Sequence, residues 1–148
     1  MDLDLIAEGQ ALVRACLRRN MPGPYQIQAA INAVHSDAPT APDTDWRQIV
    51  ALYDQLAVVA PSPIVTLNRA VAVAEVDGPV VGLGSLDTLA GELGNYHLFH
   101  AARADLLRRL DRHRESAAAY ADALALATNE AERTLLGRRY GEVSDQRA

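Results

Sequence analysis

The chain has no lysine. All 14 of its basic side chains are arginines, set against 19 aspartates and glutamates, for a formal net charge of −5. That balance argues against generic electrostatic attachment to nucleic acid or to an anionic membrane surface. A single cysteine, Cys16, excludes an internal disulfide and, in a helical pattern, reads as a small buried side chain. Aromatics are scarce, with one Phe, one Trp and five Tyr. A core made instead of Ala, Leu, Val and Ile suits helices packed on helices. No apolar run approaches the roughly 20 residues needed to span a bilayer. No secretory leader precedes the first helical pattern, so the expectation is a cytoplasmic protein. At 148 residues the length suits a single domain over positions 1–148.

What the chain does have is an internal repeat. Shifted by 34 residues, the stretch 63–127 overlays on itself. Arg69-Ala70 falls on Arg103-Ala104, Val73 on Leu107, Asp77 on Asp111, Gly82 on Ser116, Leu86 on Tyr120 and Leu89 on Ala123. Most of these are matches of size and polarity rather than identities. The period is that of tetratricopeptide helix pairs, whose uncovered apolar faces are buried by stacking. Within one repeat, Ala104 and Leu107 lie a turn apart on a first helix, and Asp111 sits at the turn. Ser116, Tyr120 and Ala123 follow at i, i+4 and i+7 on a second helix. The small residues permit close approach, and Tyr120 fills the space between the helices.

The fold class expected is all-α: a tetratricopeptide-like solenoid of helical hairpins, with about eight helices. Three pairs span 24–60, 62–93 and 95–127, flanked by helices over 2–19 and 129–141. Asp2 and Asp4 favour the start of the first helix, and Asn20 to Pro24 stops it. Pro24 opens the second, whose face is Ile27, Ala30, Ile31 and Val34. Gln26 and Gln28 on that helix cannot both join the face. One should meet solvent or a partner, and the other should hydrogen-bond a neighbouring loop. Ser36 to Asp43, with two prolines, must be a loop, after which Asp43 or Thr44 caps a helix to Ala60. Ser62-Pro63 is a capping hydroxyl followed by proline at the first helical position. The helix from Val80 to Leu93 is weakened by Gly82, Gly84 and Gly91, at up to roughly 1 kcal/mol each. Irregularity is expected at Gly84. Asn129 to Glu132 resembles a capping box for the last helix, with Arg138 and Arg139 near its negative end and a frayed tail after Gly141.

Chemistry-bearing constellations are sparse. His97 and His100 are spaced to share a metal, but no third ligand accompanies them, and no metal or cofactor is expected. Gly82-Leu83-Gly84 lacks the strand-turn-helix context of a phosphate loop. Ser62 and Ser85 lack a visible His and carboxylate. The expectation is a protein that is not an enzyme. Arg69 and Arg103 are unusual, because a tetratricopeptide usually places an apolar residue there. Two readings follow. The arginines either bridge neighbouring helices through Glu75 or Asp105, or line a partner-binding groove with Asn68 and Asp105. The candidate groove set is Tyr25, Gln26, Gln28, Asn68, Arg69, Glu75, His100, Arg103 and Asp105.

Several stretches carry a wider likeness. They are Leu5 to Gly9, Gly23-Pro24-Tyr25-Gln26-Ile27-Gln28-Ala29-Ala30-Ile31, Thr44-Asp45-Trp46, and Ala60-Pro61-Ser62-Pro63-Ile64-Val65. Leu67-Asn68-Arg69-Ala70-Val71-Ala72-Val73-Ala74-Glu75, Tyr96 to Leu107 and Asn129 to Arg133 complete them. With these the chain resembles the tetratricopeptide-like C-terminal extension of a group of extracytoplasmic-function RNA polymerase sigma factors. The resemblance implies a regulatory module of a transcription initiation factor. It would contact the N-terminal sigma regions of the same full-length protein, RNA polymerase or a partner protein, and would stand in for a separate anti-sigma protein. No basic helix-turn-helix stretch is present, so no direct nucleic acid contact and no membrane contact is expected. The alternative is a small-molecule sensor, with the paired arginines holding an anionic ligand, or a free-standing scaffold.

Overall fold

A computed structural model of the chain describes residues 23–37 and 44–147. The expected helix over 2–19, with Cys16, and most of the expected loop before Asp43 lie outside them. Among the described residues all regular structure is helical. The eight helices are α1 (Pro24–Asp37), α2 (Trp46–Val59), α3 (Pro63–Asp77), α4 (Pro79–Asp87), α5 (Ala90–Leu93), α6 (His97–Arg109), α7 (His113–Leu126) and α8 (Glu130–Arg147). The chain divides into two compact units, 1–76 and 77–148, and the boundary falls inside the hairpin expected over 62–93.

In the first unit α1 and α2 pack as a hairpin. Its core joins Ile27, Ala30, Ile31 and Val34 of α1 to Ile49, Leu52, Tyr53 and Leu56 of α2 and to Ala72 of α3. These positions recur at helical spacing, so each helix turns one apolar stripe inward. Asp45, rather than Asp43 or Thr44, caps α2: its Oδ1 accepts the Gln48 N–H at 3.1 Å. Ser62 caps α3 as the Ser-Pro signal predicts, accepting the Val65 N–H at 3.1 Å. Each such cap satisfies a backbone donor that the helix itself cannot.

In the second unit α4 packs on α6, α6 on α7, and α7 on α8. Ser116, fully buried, donates its hydroxyl proton to the Ala104 carbonyl at 2.8 Å, which fixes the closest approach of α6 and α7. Both partners are small, as the repeat pattern required. The buried positions also recur across the 34-residue offset: Ala70 and Ala104, Val73 and Leu107, Leu86 and Tyr120, Leu89 and Ala123 are all core residues. The turn residue Asp111 has φ 59°, and Gly78, at the corresponding turn, has φ 97°. Glycine adopts that region without cost and aspartate tolerates it.

Two expectations are corrected here. The single helix over 80–93 is two, α4 and α5, broken at Thr88 and Leu89 rather than at Gly84. The Thr88 hydroxyl donates to the Ser85 carbonyl at 2.7 Å, so a side chain competes for the backbone where the helix stops. The last helix extends to Arg147 instead of ending near Gly141. Arg138 and Arg139 therefore sit in its interior, not at its negative end. Asn129 does cap it, accepting the Glu132 N–H at 3.0 Å. The Glu132 carboxylate is drawn to His97 instead, with Oε2 2.7 Å from Nε2. Arg133 binds the carbonyls of Leu124 and Ala127, satisfying the C-terminal end of α7 from the next helix.

Candidate functional site

The two arginines singled out by the repeat are held in the same way. Arg69 on α3 pairs through Nε with Asp54 of α2. Arg103 on α6 pairs through Nε with Asp87, the last residue of α4, at 3.0 Å. In each case an arginine on a first helix reaches back about 15 residues to an aspartate on an earlier helix. These carboxylates are Asp54 and Asp87, where Glu75 or Asp105 was expected. Glu75 is exposed on α3. Asp105 accepts from Arg108 Nη2 at 2.5 Å and lies 3.0 Å from Arg109 Nη2. The arginines are about one-third exposed and the aspartates half exposed, so each pair contributes at most about 1 kcal/mol. Arg103→Ala should therefore fold and lose no more than about 1 kcal/mol by urea denaturation.

Of the nine candidate residues, six lie in the first unit and three in the second. Asn68 lines a groove, a cleft of about 150 Å³ formed with His35, Trp46, Ile49, Tyr53, Val71 and Ala72. The rings of His35 and Trp46 meet edge to face with centroids 5.2 Å apart. Neither ring belongs to the candidate groove set drawn from the sequence. The scarcity of aromatics was the available signal, because Trp46 is the only tryptophan in the chain.

The remaining candidates scatter. Tyr25 is 88% exposed at the start of α1. Gln26 folds its amide over Gly23, where a Cβ would collide with it. Gln28 donates to Asn32 Oδ1 at 3.3 Å and hydrogen-bonds Tyr53, so its partners are helical neighbours rather than a loop. His100 Nε2 lies 2.7 Å from the Gly94 carbonyl. A carbonyl only accepts, so Nε2 carries the proton and the imidazole ties down the turn before α6.

Tyr53 and Tyr120 share a further property. Burial raises both phenol pKa values above 10.0, opposed in part by hydrogen bonds to Gln28 and Arg108 respectively. The folded state therefore holds these protons more tightly than the unfolded chain does. This contribution to stability is complete below pH 10 and is lost as pH rises through the raised values. The melting temperature should fall above about pH 10, and the double variant Tyr53→Phe/Tyr120→Phe should fall less steeply across the same window.

What the coordinates define is an all-helical hairpin protein in which a surface groove and two matching ion pairs sit on repeated helices. The chain is 44% identical over 128 residues to an uncharacterized protein of Rhizobium meliloti (strain 1021). The match covers 86% of this chain but only 30% of that relative. No protein-family model and no solved structure matches. Among the described residues no helix is long and apolar enough to cross a membrane, and no three His, Cys, Asp or Glu side chains converge as a metal site.

Proposed function

We propose that this chain is a protein-interaction domain of a longer sigma-type transcription initiation factor, working in the cytoplasm by contact with sigma regions or core polymerase. The observation that carries the reading is the relative, in which a closely similar domain accounts for only 30% of the length. A domain built into a chain of that size has covalent neighbours to act upon. Support also comes from the resembling segments, which supply the caps, the core faces and the groove: Trp46, Ser62, Asn68 and Arg69 all belong to them. Of the two roles weighed for the arginines, the interhelical bridge has the geometry in its favour. Arg69 and Arg103 are already matched by aspartates, which argues against their acting as an anion clamp.

The test begins with the reading frame. Sigma regions encoded upstream of this domain should be captured by the isolated domain in a pull-down, and core polymerase should be assayed beside them. A reading frame without sigma regions, or sigma regions that neither bind this domain nor change in activity when it is removed, would overturn the proposal.

A further inference from the structure

The second unit contains a larger and more polar cavity that the interaction role does not use. It measures about 290 Å³ and is lined by Arg108 from the end of α6, Asp111 from the turn, His113 from the start of α7, and Glu142 and Val143 from α8. Two unpaired polar atoms line it. Arg108 Nε and His113 Nδ1 are buried without a hydrogen-bond partner in the protein. Asp111, at φ 59°, is the one non-glycine residue with positive φ among the described residues. Asp111 is the turn residue that ends α6, with Asp111 N–H to Arg108 O and Arg112 N–H to Leu107 O both at 3.0 Å, so the unpaired atoms are what calls for a bound group here.

The charges are arranged in two groups. Arg108 is oriented by Asp105, which accepts from Nη2 at 2.5 Å, and it also hydrogen-bonds Tyr120. With one edge so fixed, the guanidinium presents the rest of its donors in a set direction. Asp111 and Glu142 form the other group. Asp111 is almost fully exposed, and its carboxylate is 3.6 Å from His113 Nε2, too far for a hydrogen bond. Glu142 is half exposed, with Arg139 no nearer than 3.8 Å. Each carboxylate has a basic side chain only at the outer edge of ion-pair range, and neither accepts a hydrogen bond from it. The pocket therefore offers donors beside Arg108 and His113 and acceptors at Asp111 and Glu142, within a space sized for a small molecule.

We propose that this pocket binds a free α-amino acid, its carboxylate toward Arg108 and His113 and its ammonium toward Asp111 and Glu142. A lone anion would leave the two carboxylates facing it, and a lone cation would leave Arg108 and His113 unanswered. A zwitterion meets both groups at once.

The whole chain, labelled with ¹⁵N, is titrated with each of the twenty L-amino acids, and amide and His113 ring shifts are followed by NMR. The expected result is saturable shifts confined to residues 108–113 and 140–144 for at least one amino acid. N-acetylation or methyl esterification of that amino acid should abolish them. Glu142→Gln and Asp111→Asn should each weaken binding about tenfold. Both variants should fold, since Glu142 is at the surface and asparagine tolerates the backbone at 111. The proposal is overturned if no amino acid gives saturable shifts there up to about 10 mM, a weak-binding limit. It is equally overturned if acetate or methylamine alone reproduces the shifts, or if the two variants bind as wild type does.

Discussion

Leu107→Ala is expected to cost about 2–5 kcal/mol of unfolding free energy, the largest single-residue effect on stability anticipated in this protein. Leu107 is wholly buried in the last turn of α6, the helix that packs against both α4 and α7. Truncation removes three methyl and methylene groups' worth of apolar burial, at about 0.8 kcal/mol per carbon. It also leaves a cavity that a helix clamped by the Ser116–Ala104 hydrogen bond cannot readily close. For a chain of this size each kcal/mol lowers the melting temperature by about 2–4 °C, so a loss of roughly 4–20 °C is expected. Leu98, the second residue of the same helix and 42% exposed, is the control. Leu98→Ala should stay within about 1 kcal/mol of wild type. Urea unfolding followed by circular dichroism measures both. Equal effects at the two positions would mean that the burial pattern built on the 34-residue offset does not describe the core.

That offset explains why so much of the fold was legible. A helical hairpin needs small residues where its helices cross and one large residue to fill the gap beyond, and these demands recur with every pair. Ala104, Ser116 and Tyr120 could thus be placed before any coordinates, as could the Ser62 and Asn129 caps, whose donors lie three residues on. The break between α4 and α5 was harder to place. Glycine count pointed to Gly84, which is exposed and has open space around it, while the helix ends where the Thr88 hydroxyl takes a backbone carbonyl. Helix propensity records the cost of a residue in a helix but does not fix where the helix stops.

The candidate site was less legible for a related reason. The repeat identified Arg69 and Arg103 as equivalent, yet their partners, Asp54 and Asp87, lie on preceding helices, and only three-dimensional packing selects them over Glu75 and Asp105. Asp105 has two arginines on its own helix within reach, at i+3 and i+4, and these local pairs satisfy it first. The groove around Asn68 draws on three helices. Its other walls, His35 and Trp46, carried no motif.

Asn68→Arg is expected to have the largest effect on function. Asn68 is exposed on α3, so the substitution should shift stability by no more than about 0.5 kcal/mol. Yet it places a long charged side chain across a cleft of only about 150 Å³ whose other walls are mainly aromatic and aliphatic. A partner side chain seated there would meet both a steric obstruction and a buried, unpaired guanidinium. Losses at such central contacts run to about 2–4 kcal/mol, or roughly 30- to 1,000-fold in affinity. In the pull-down with the sigma regions, Asn68→Arg should fail to capture them while melting at the wild-type temperature. Arg103→Ala, which removes only an already matched surface charge in the other unit, should still capture them. If the Asn68 variant captured as well as wild type and the Arg103 variant did not, the contact surface would belong to the second unit, and the groove of His35, Trp46 and Tyr53 would be a packing feature of the first.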